Sequence, residues 1–230
     1  MLKLLLKWIF FPIQKFRLAM VDSNKIFKDK QVAKLADAVK NGDSKAIKAL
    51  VAEGVDPNSV GKDDTNLLFW AILMQNTKGF TALLEAGADP TICGNDGRTL
   101  MHTTAWVKDI SYLKILLKHG VDPNIQNCLG RSTPIFDAVE DEHFTLLLNS
   151  GANLSAKDIV GNTILHSASP RHIIQLLEAG ADPLAKNNRG NTFQPYFFST
   201  PENVLTKEGK QNRKWVRDWL KKKNIPLEEK

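Results

Sequence analysis

Cysteine is scarce: Cys93 and Cys128 are the only two in 230 residues. So few rule out a disulfide-framework fold, and with no framework spacing visible both are expected as reduced thiols. Long apolar runs are also missing. The longest, Leu4 to Ile13, is interrupted by Lys7 and falls far short of the roughly 20 residues that a spanning helix needs. No Gly-x-x-x-x-Gly-Lys-Ser/Thr phosphate loop and no Gly-x-Ser-x-Gly nucleophile elbow occurs. The five histidines, His102, His119, His143, His166 and His172, offer no convergent metal-ligand spacing. Glu140, Asp141 and Glu142 are adjacent, so on a helix they point in different directions and form no catalytic pair. The sequence therefore predicts no catalytic residue, no cofactor and no metal.

What is present is repetition. The stretch Leu83 to His102, LLEAGADPTICGNDGRTLMH, contains a helix stop, a finger-like turn and a helix start. Gly87 suits a left-handed residue after a helix, Pro90 prevents continuation, Gly97 marks a second turn, and Thr99 is placed to cap the next helix. The same pattern returns at Gly54, Gly87, Gly120, Gly151 and Gly180, spaced by 33, 33, 31 and 29 residues. Helix starts recur in phase at Thr65, Thr99, Thr133, Thr163 and Thr192. A period near 33 residues with two motifs in register indicates a stack of one supersecondary unit.

These units resemble the ankyrin repeat. Thr133-Pro134-Ile135-Phe136 approximates its Thr-Pro-Leu-His, Thr163-Ile164-Leu165-His166 keeps the histidine, and LLEAGADP and LLKHGVDP match its second helix and turn. The resemblance implies an all-α solenoid of about five helix-pair repeats with short finger loops and a C-terminal helical cap. It also implies that His102 and His166 hydrogen-bond backbone in the adjoining turn. His119, near a helix C-terminus, is placed to interact with the helix dipole. From capping threonine to repeat glycine the units shorten by about one helical turn after the third, so the last helices should be stubby.

Three regions follow: a basic amphipathic extension over 1–31, the repeats over 32–192, and an atypical capping unit over 193–230. The net charge of +6 divides into +5, −3 and +4 across them. The basic isoelectric point therefore describes the ends, and it argues against a nucleic-acid groove along the stack. In the first 20 residues Leu2, Leu5, Leu6, Ile9 and Ile13 share one helical face. That face suits an anionic membrane surface, or packing against protein, and Lys3 before an apolar run leaves export open. A cytoplasmic location, with membrane association through this segment, is the expectation. In the cap, Trp215, Val216, Trp219 and Leu220 make an apolar face, while Arg213 and the neighbouring lysines are expected mostly to turn away.

The resemblance also assigns a binding face. Its fifth, eighth and ninth helix places look into a concave groove beside the fingers. Carried over, these are Asp37, Lys40 and Asn41 in the first unit; Phe69, Ile72 and Leu73 in the second; Thr103, Trp106 and Val107 in the third; Asp137, Glu140 and Asp141 in the fourth. Trp70 falls in a packed place. An uneven groove with aromatic anchors points to a protein partner. Among small stand-alone members of the family, the resemblance implies an immunity protein that neutralises a bacterial effector such as a secreted lipase. The alternative is a membrane-peripheral adaptor or scaffold.

Overall fold

The structure is a computed structural model that describes residues 21–228. The amphipathic extension expected over residues 1–20 lies outside the described residues. Among those described, the chain is helical, with one isolated bridge between Val60 and Asn66 and no strand. Antiparallel pairs follow in order: α1 (Lys30–Asn41) with α2 (Ser44–Ala52), α3 (Leu67–Leu73) with α4 (Thr77–Glu85), and α5 (Leu100–Trp106) with α6 (Ser111–Lys118). In the fourth unit a single 3-10 turn, Pro134–Phe136, replaces the first helix before α7 (Asp141–Asn149). Next come α8 (Ile164–Ser167) with α9 (Pro170–Glu178), then α10 (Gln194–Phe197) and the long α11 (Lys207–Lys222).

Local chemistry sets these boundaries. The repeat glycines Gly54, Gly87, Gly120, Gly151 and Gly180 follow the second helices with φ between 77° and 98°, a region where any other residue is strained. Asn76 accepts from Gly79 N at 2.8 Å to start α4, and Asn66 accepts from Phe69 N at 2.7 Å to start α3. The motif threonines pair with the histidine three residues on. Thr99 makes no side-chain cap bond, whereas Thr163 forms a capping box with His166, whose Nδ1 accepts from Thr163 N at 3.1 Å. Both hydroxyls meet the Nδ1 atoms of His102 and His166, at 2.8 and 3.0 Å. Each histidine's Nε2 then reaches a backbone carbonyl of the next finger, Ser132 at 3.0 Å and Asn191 at 3.1 Å. The hydroxyl is thus used to orient the ring, and the ring ties one unit to the next.

Each unit buries its apolar face on its neighbours, the defining economy of a stack. Trp70, fully buried as expected, donates its indole N–H to Ala36 O at 2.9 Å, and Leu116 is also fully buried. Asn76 Nδ2 donates to Lys40 O at 2.9 Å across the α1–α4 contact. There Gly79 lies so close to Val39 O that a Cβ would overlap the carbonyl. The fingers are laddered as well: Cys128 N donates to Gly97 O at 2.8 Å, Ile159 N to Gly130 O at 2.7 Å, and Asn188 N to Val160 O at 3.1 Å. His119 Nδ1 sits 2.8 Å from Ile115 O at the end of α6.

Two expectations are corrected here. Cys93 and Cys128 are joined in a disulfide, with Cα atoms 6.4 Å apart. Their unequal offsets from the repeat glycines hid the pairing, because the ladder staggers one finger against the next. Arg213 is buried, not solvent-facing. It donates to Thr200 O at 2.7 Å and lies 3.4 Å from Glu202, so its charge is neutralised inside the terminal unit. On α11, Val216 and Leu220 are buried, and Trp215 and Trp219 stack half-buried beside them. This helix packs on α9 and covers the end of the stack.

Candidate protein-binding groove

The groove is built from the starts of the first helices and the fingers above them. Between the second and third units it deepens into a slot of 340 Å³. Its floor is Phe69 and Asn66 from α3's start and Thr99, Leu100 and Thr103 from α5's start. One wall is Asp63 and Asp64, and the other runs from Ile92 through Gly94, Asn95 and Asp96 to Arg98. Phe69 and Thr103 are equivalent places in successive units, which is why the stack brings them side by side.

The walls are held by charge and covalent bonding. Asp64 Oδ2 accepts from Asn95 N at 2.5 Å, joining the two fingers over the slot. Arg98 is committed to Asp137 at 3.1 Å and lies 3.9 Å from Asp96. Cys93, between Ile92 and Gly94 on the wall, carries the disulfide to the next finger. Among the described residues no cation comes within ion-pair distance of Asp63 or Asp64.

Backbone conformation singles out the same wall. Two residues before each motif threonine the chain turns left-handed: φ is 75°, 79° and 77° at Gly97, Gly161 and Gly190, 58° at Arg131 and 56° at Asp63. Asp64 follows at 62°. A non-glycine residue there costs roughly 1–2 kcal/mol, least for Asp or Asn, whose side chains bond locally. The second unit thus carries one carboxylate, Asp63, where three other units have glycine.

The other expected residues divide. Asp37 pairs with Lys40 at 3.4 Å, and Lys40 Nζ donates to Val21 O at 3.0 Å, so both are engaged within the chain. Asn41 is exposed. Trp106, one turn beyond Thr103 on α5, is 36% exposed. Ile72, Leu73 and Val107 are buried at 3–5% exposure, so these three belong to the core and offer no groove surface. The reason is local: α3 ends at Leu73 and α5 at Trp106, and Val107 is extended and turns back inward. Glu140 is exposed, whereas Asp141 bonds Arg171 at 2.8 Å and His172 at 2.9 Å. The acidic edge of the fourth unit is therefore largely spent on internal bridges.

Residues missed by sequence reasoning are those of the fingers: Asp63, Asp64, Ile92, Asn95 and Asp96. A signal existed, since Asp63 stands in the register place that carries Gly97, Gly161 and Gly190.

Titration marks the packed units. Burial holds His102 below the ordinary histidine value, opposed chiefly by its bond to Ser132 O. Burial likewise pushes the Tyr112 phenol well up, beneath α3, where its hydroxyl reaches Ala71 O at 3.4 Å. Among the described residues no group of three or more His, Cys, Asp or Glu side chains is arranged to hold a metal, and no helix is long and apolar enough to cross a membrane.

Comparison with known proteins agrees with the repeats. Residues 35–127 match the family profile "Ankyrin repeats (3 copies)". The ankyrin repeat domain of Bcl-3, described as a member of the IkappaB protein family, is 27% identical, with a TM-score of 0.61 over 70% of this chain and 75% of that one. The ankyrin repeat protein EF0377 is 21% identical, with a TM-score of 0.64 over 81% of this chain and 97% of that one; this likeness is one of fold. Among curated proteins none matches the sequence significantly.

Proposed function

We propose that this chain, whose residues 35–127 are ankyrin repeats, is a non-catalytic protein-binding module that holds its partner on the concave face. The observation that carries this reading is the slot between the second and third fingers, floored by Phe69 and Leu100 and walled by carboxylates. An apolar floor with polar walls is the usual anatomy of a recognition cleft. Fold alone would not support the reading, since a stack can serve many roles.

In its specific form, the module is an immunity protein that neutralises a bacterial effector such as a secreted lipase. The disulfide favours a compartment where thiols are oxidised over the cytoplasm expected from sequence, and such an effector acts outside the reducing interior. The test is a binding and hydrolysis assay against bacterial secreted lipases, beginning with any encoded next to this chain. A stable complex with loss of hydrolysis supports the reading; no complex defeats the immunity form. Phe69→Ala and Trp106→Ala should each weaken the complex by roughly 2 kcal/mol or more. Both should lower stability less than Leu116→Ala, whose side chain is fully buried. If both aromatic variants bind normally, the concave face is not the binding face.

The second reading, a membrane-peripheral adaptor, draws on the apolar helical face of residues 1–20. Sedimentation with anionic vesicles, with and without those residues, decides it. Binding that survives the truncation shifts attention to the basic helix α11.

A further inference from the structure

The slot between the second and third fingers has the chemistry of a receptor for one kind of side chain, and we propose that it receives a lysine or arginine of the protein partner. This rests on the concave-face reading above and names what the partner presents there.

Three observations converge. First, the slot is small, 340 Å³, at the low end of the roughly 300–1,000 Å³ range of ligand clefts, so it suits one long side chain rather than a cofactor. Second, its surfaces are divided. Phe69, Ile92 and Leu100 offer an apolar bed for an aliphatic stem, and Asp63, Asp64 and Asp96 supply negative charge at the rim. Lysine and arginine have this division themselves, an apolar stem ending in a charged head, and the ring of Phe69 also favours a cation over its face.

Third, the slot's three carboxylates are only partly compensated by Arg98, the cation on its wall. Asp96 has Arg98 at 3.9 Å, but that guanidinium is drawn 3.1 Å from Asp137 instead. Asp63 and Asp64 have no cation among the described residues. Elsewhere this chain does pair its carboxylates across units, as with Lys48–Glu85 at 2.9 Å, Lys114–Glu142 at 3.2 Å and Arg171–Asp141 at 2.8 Å. At the slot Asp63 and Asp64 lack such an ion pair, although Asp64 Oδ2 accepts from Asn95 N, and both are held in left-handed backbone that glycine would adopt without strain. A cation from outside completes the set.

The experiment uses the full chain, labelled with ¹⁵N, and capped pentapeptides Ala-Ala-X-Ala-Ala in which X is arginine, lysine or the neutral isostere norleucine. The arginine and lysine peptides are expected to shift the amides of Phe69, Asn95 and Thr103. Each should bind about threefold to fivefold more tightly per carboxylate engaged than the norleucine peptide. About 0.5 M salt, which shortens screening to a few Å, should erase the difference. The Asp63→Asn, Asp64→Asn double variant keeps residues suited to left-handed backbone, and its amide oxygen at position 64 can still accept from Asn95 N, so it should lose the preference with the fold retained. Asp63→Gly should also weaken the preference while raising the midpoint, a combination that a purely structural aspartate does not give.

Equal binding of arginine and norleucine peptides, or shifts confined to other acidic surfaces, overturns the proposal. The two readings fail separately. If Phe69→Ala abolishes partner binding but the double Asn variant binds that partner normally, the groove stands and the occupant named here is wrong. If the peptides show the charge preference while Phe69→Ala and Trp106→Ala both bind the partner normally, the slot's chemistry stands and the partner binds elsewhere.

Discussion

Replacing both cysteines, Cys93→Ser with Cys128→Ser, removes a bond that closes a loop across 35 residues of sequence. That loop contains all of α5 and α6, so the bond staples one complete helix pair between its two fingers. By the chain-entropy relation, closing such a loop restricts the unfolded chain by about 4 kcal/mol at 25 °C. In a chain of this size each kcal/mol moves the thermal midpoint by about 2–4 °C, so the variant should melt roughly 10 °C lower. The loss should also be local. Units in a stack touch only their neighbours, and α5–α6 alone lies inside the loop. Amide exchange in α5 and α6 should therefore rise more than in α9, while the far-ultraviolet helix signal below the transition is retained. The assays are denaturant and thermal melts of the oxidised chain and the double variant, with peptide-resolved hydrogen exchange. Alkylation of two thiols in native protein without reductant would refute the reasoning, and so would an unchanged midpoint or protection lost evenly along the stack.

Two further outcomes follow from the packing. Burial holds His102 below its ordinary value, so the unfolded chain takes up that proton more readily; the stability it contributes is fully present above about pH 6.5 and declines as pH falls toward the folded value. Unfolding melts of wild type and His102→Gln between pH 7.5 and 5.5 should show a shallower pH slope in the variant, and equal slopes would count against it. Gly79→Ala should destabilise by about 1–3 kcal/mol although alanine favours helices, because the new methyl meets the Val39 carbonyl. A neutral or stabilising result in a urea melt would show that α1 and α4 separate freely.

How much could be read from the sequence depended on how far the cause lay from the residue. Helix ends are written in a few adjacent residues, so the repeat glycines, the histidine ties at His102 and His166, and the short first helices of the fourth and fifth units were legible, whereas the second helices α7 and α9 keep nine residues each. Trp70 was legible because its place in the repeat is packed from both sides. Burial at a helix end was not. Ile72, Leu73 and Val107 were expected in the groove because the family's spacing was extended past the points where α3 and α5 end. The disulfide was illegible for another reason. Pairing needs the stagger between two fingers, and that stagger is set by hydrogen bonds such as Cys128 N to Gly97 O between residues 31 positions apart. Arg213 shows the same limit: its carbonyl partners, Phe197 and Thr200, become neighbours only when the terminal unit folds back.

The shortening of the units also limits where a concave-face partner can gain depth. First helices make the floor of such a groove, and here they run 12, 7 and 7 residues in α1, α3 and α5, then 3 in the turn Pro134–Phe136 and 4 in α8. The first unit's floor residues, Asp37 and Lys40, are already paired with each other. The fourth unit's Asp137 is taken by Arg98. Depth and uncommitted chemistry coincide between α3 and α5, beneath the strained aspartates and beside the stapled finger. On the proposed reading, binding energy is concentrated at that junction, and the shorter units beyond it serve mainly to extend the stack to the cap. The disulfide then has a functional as well as a stabilising effect: by fixing Ile92 and Gly94 on the wall, it removes conformational freedom that the partner would otherwise have to restrict on binding.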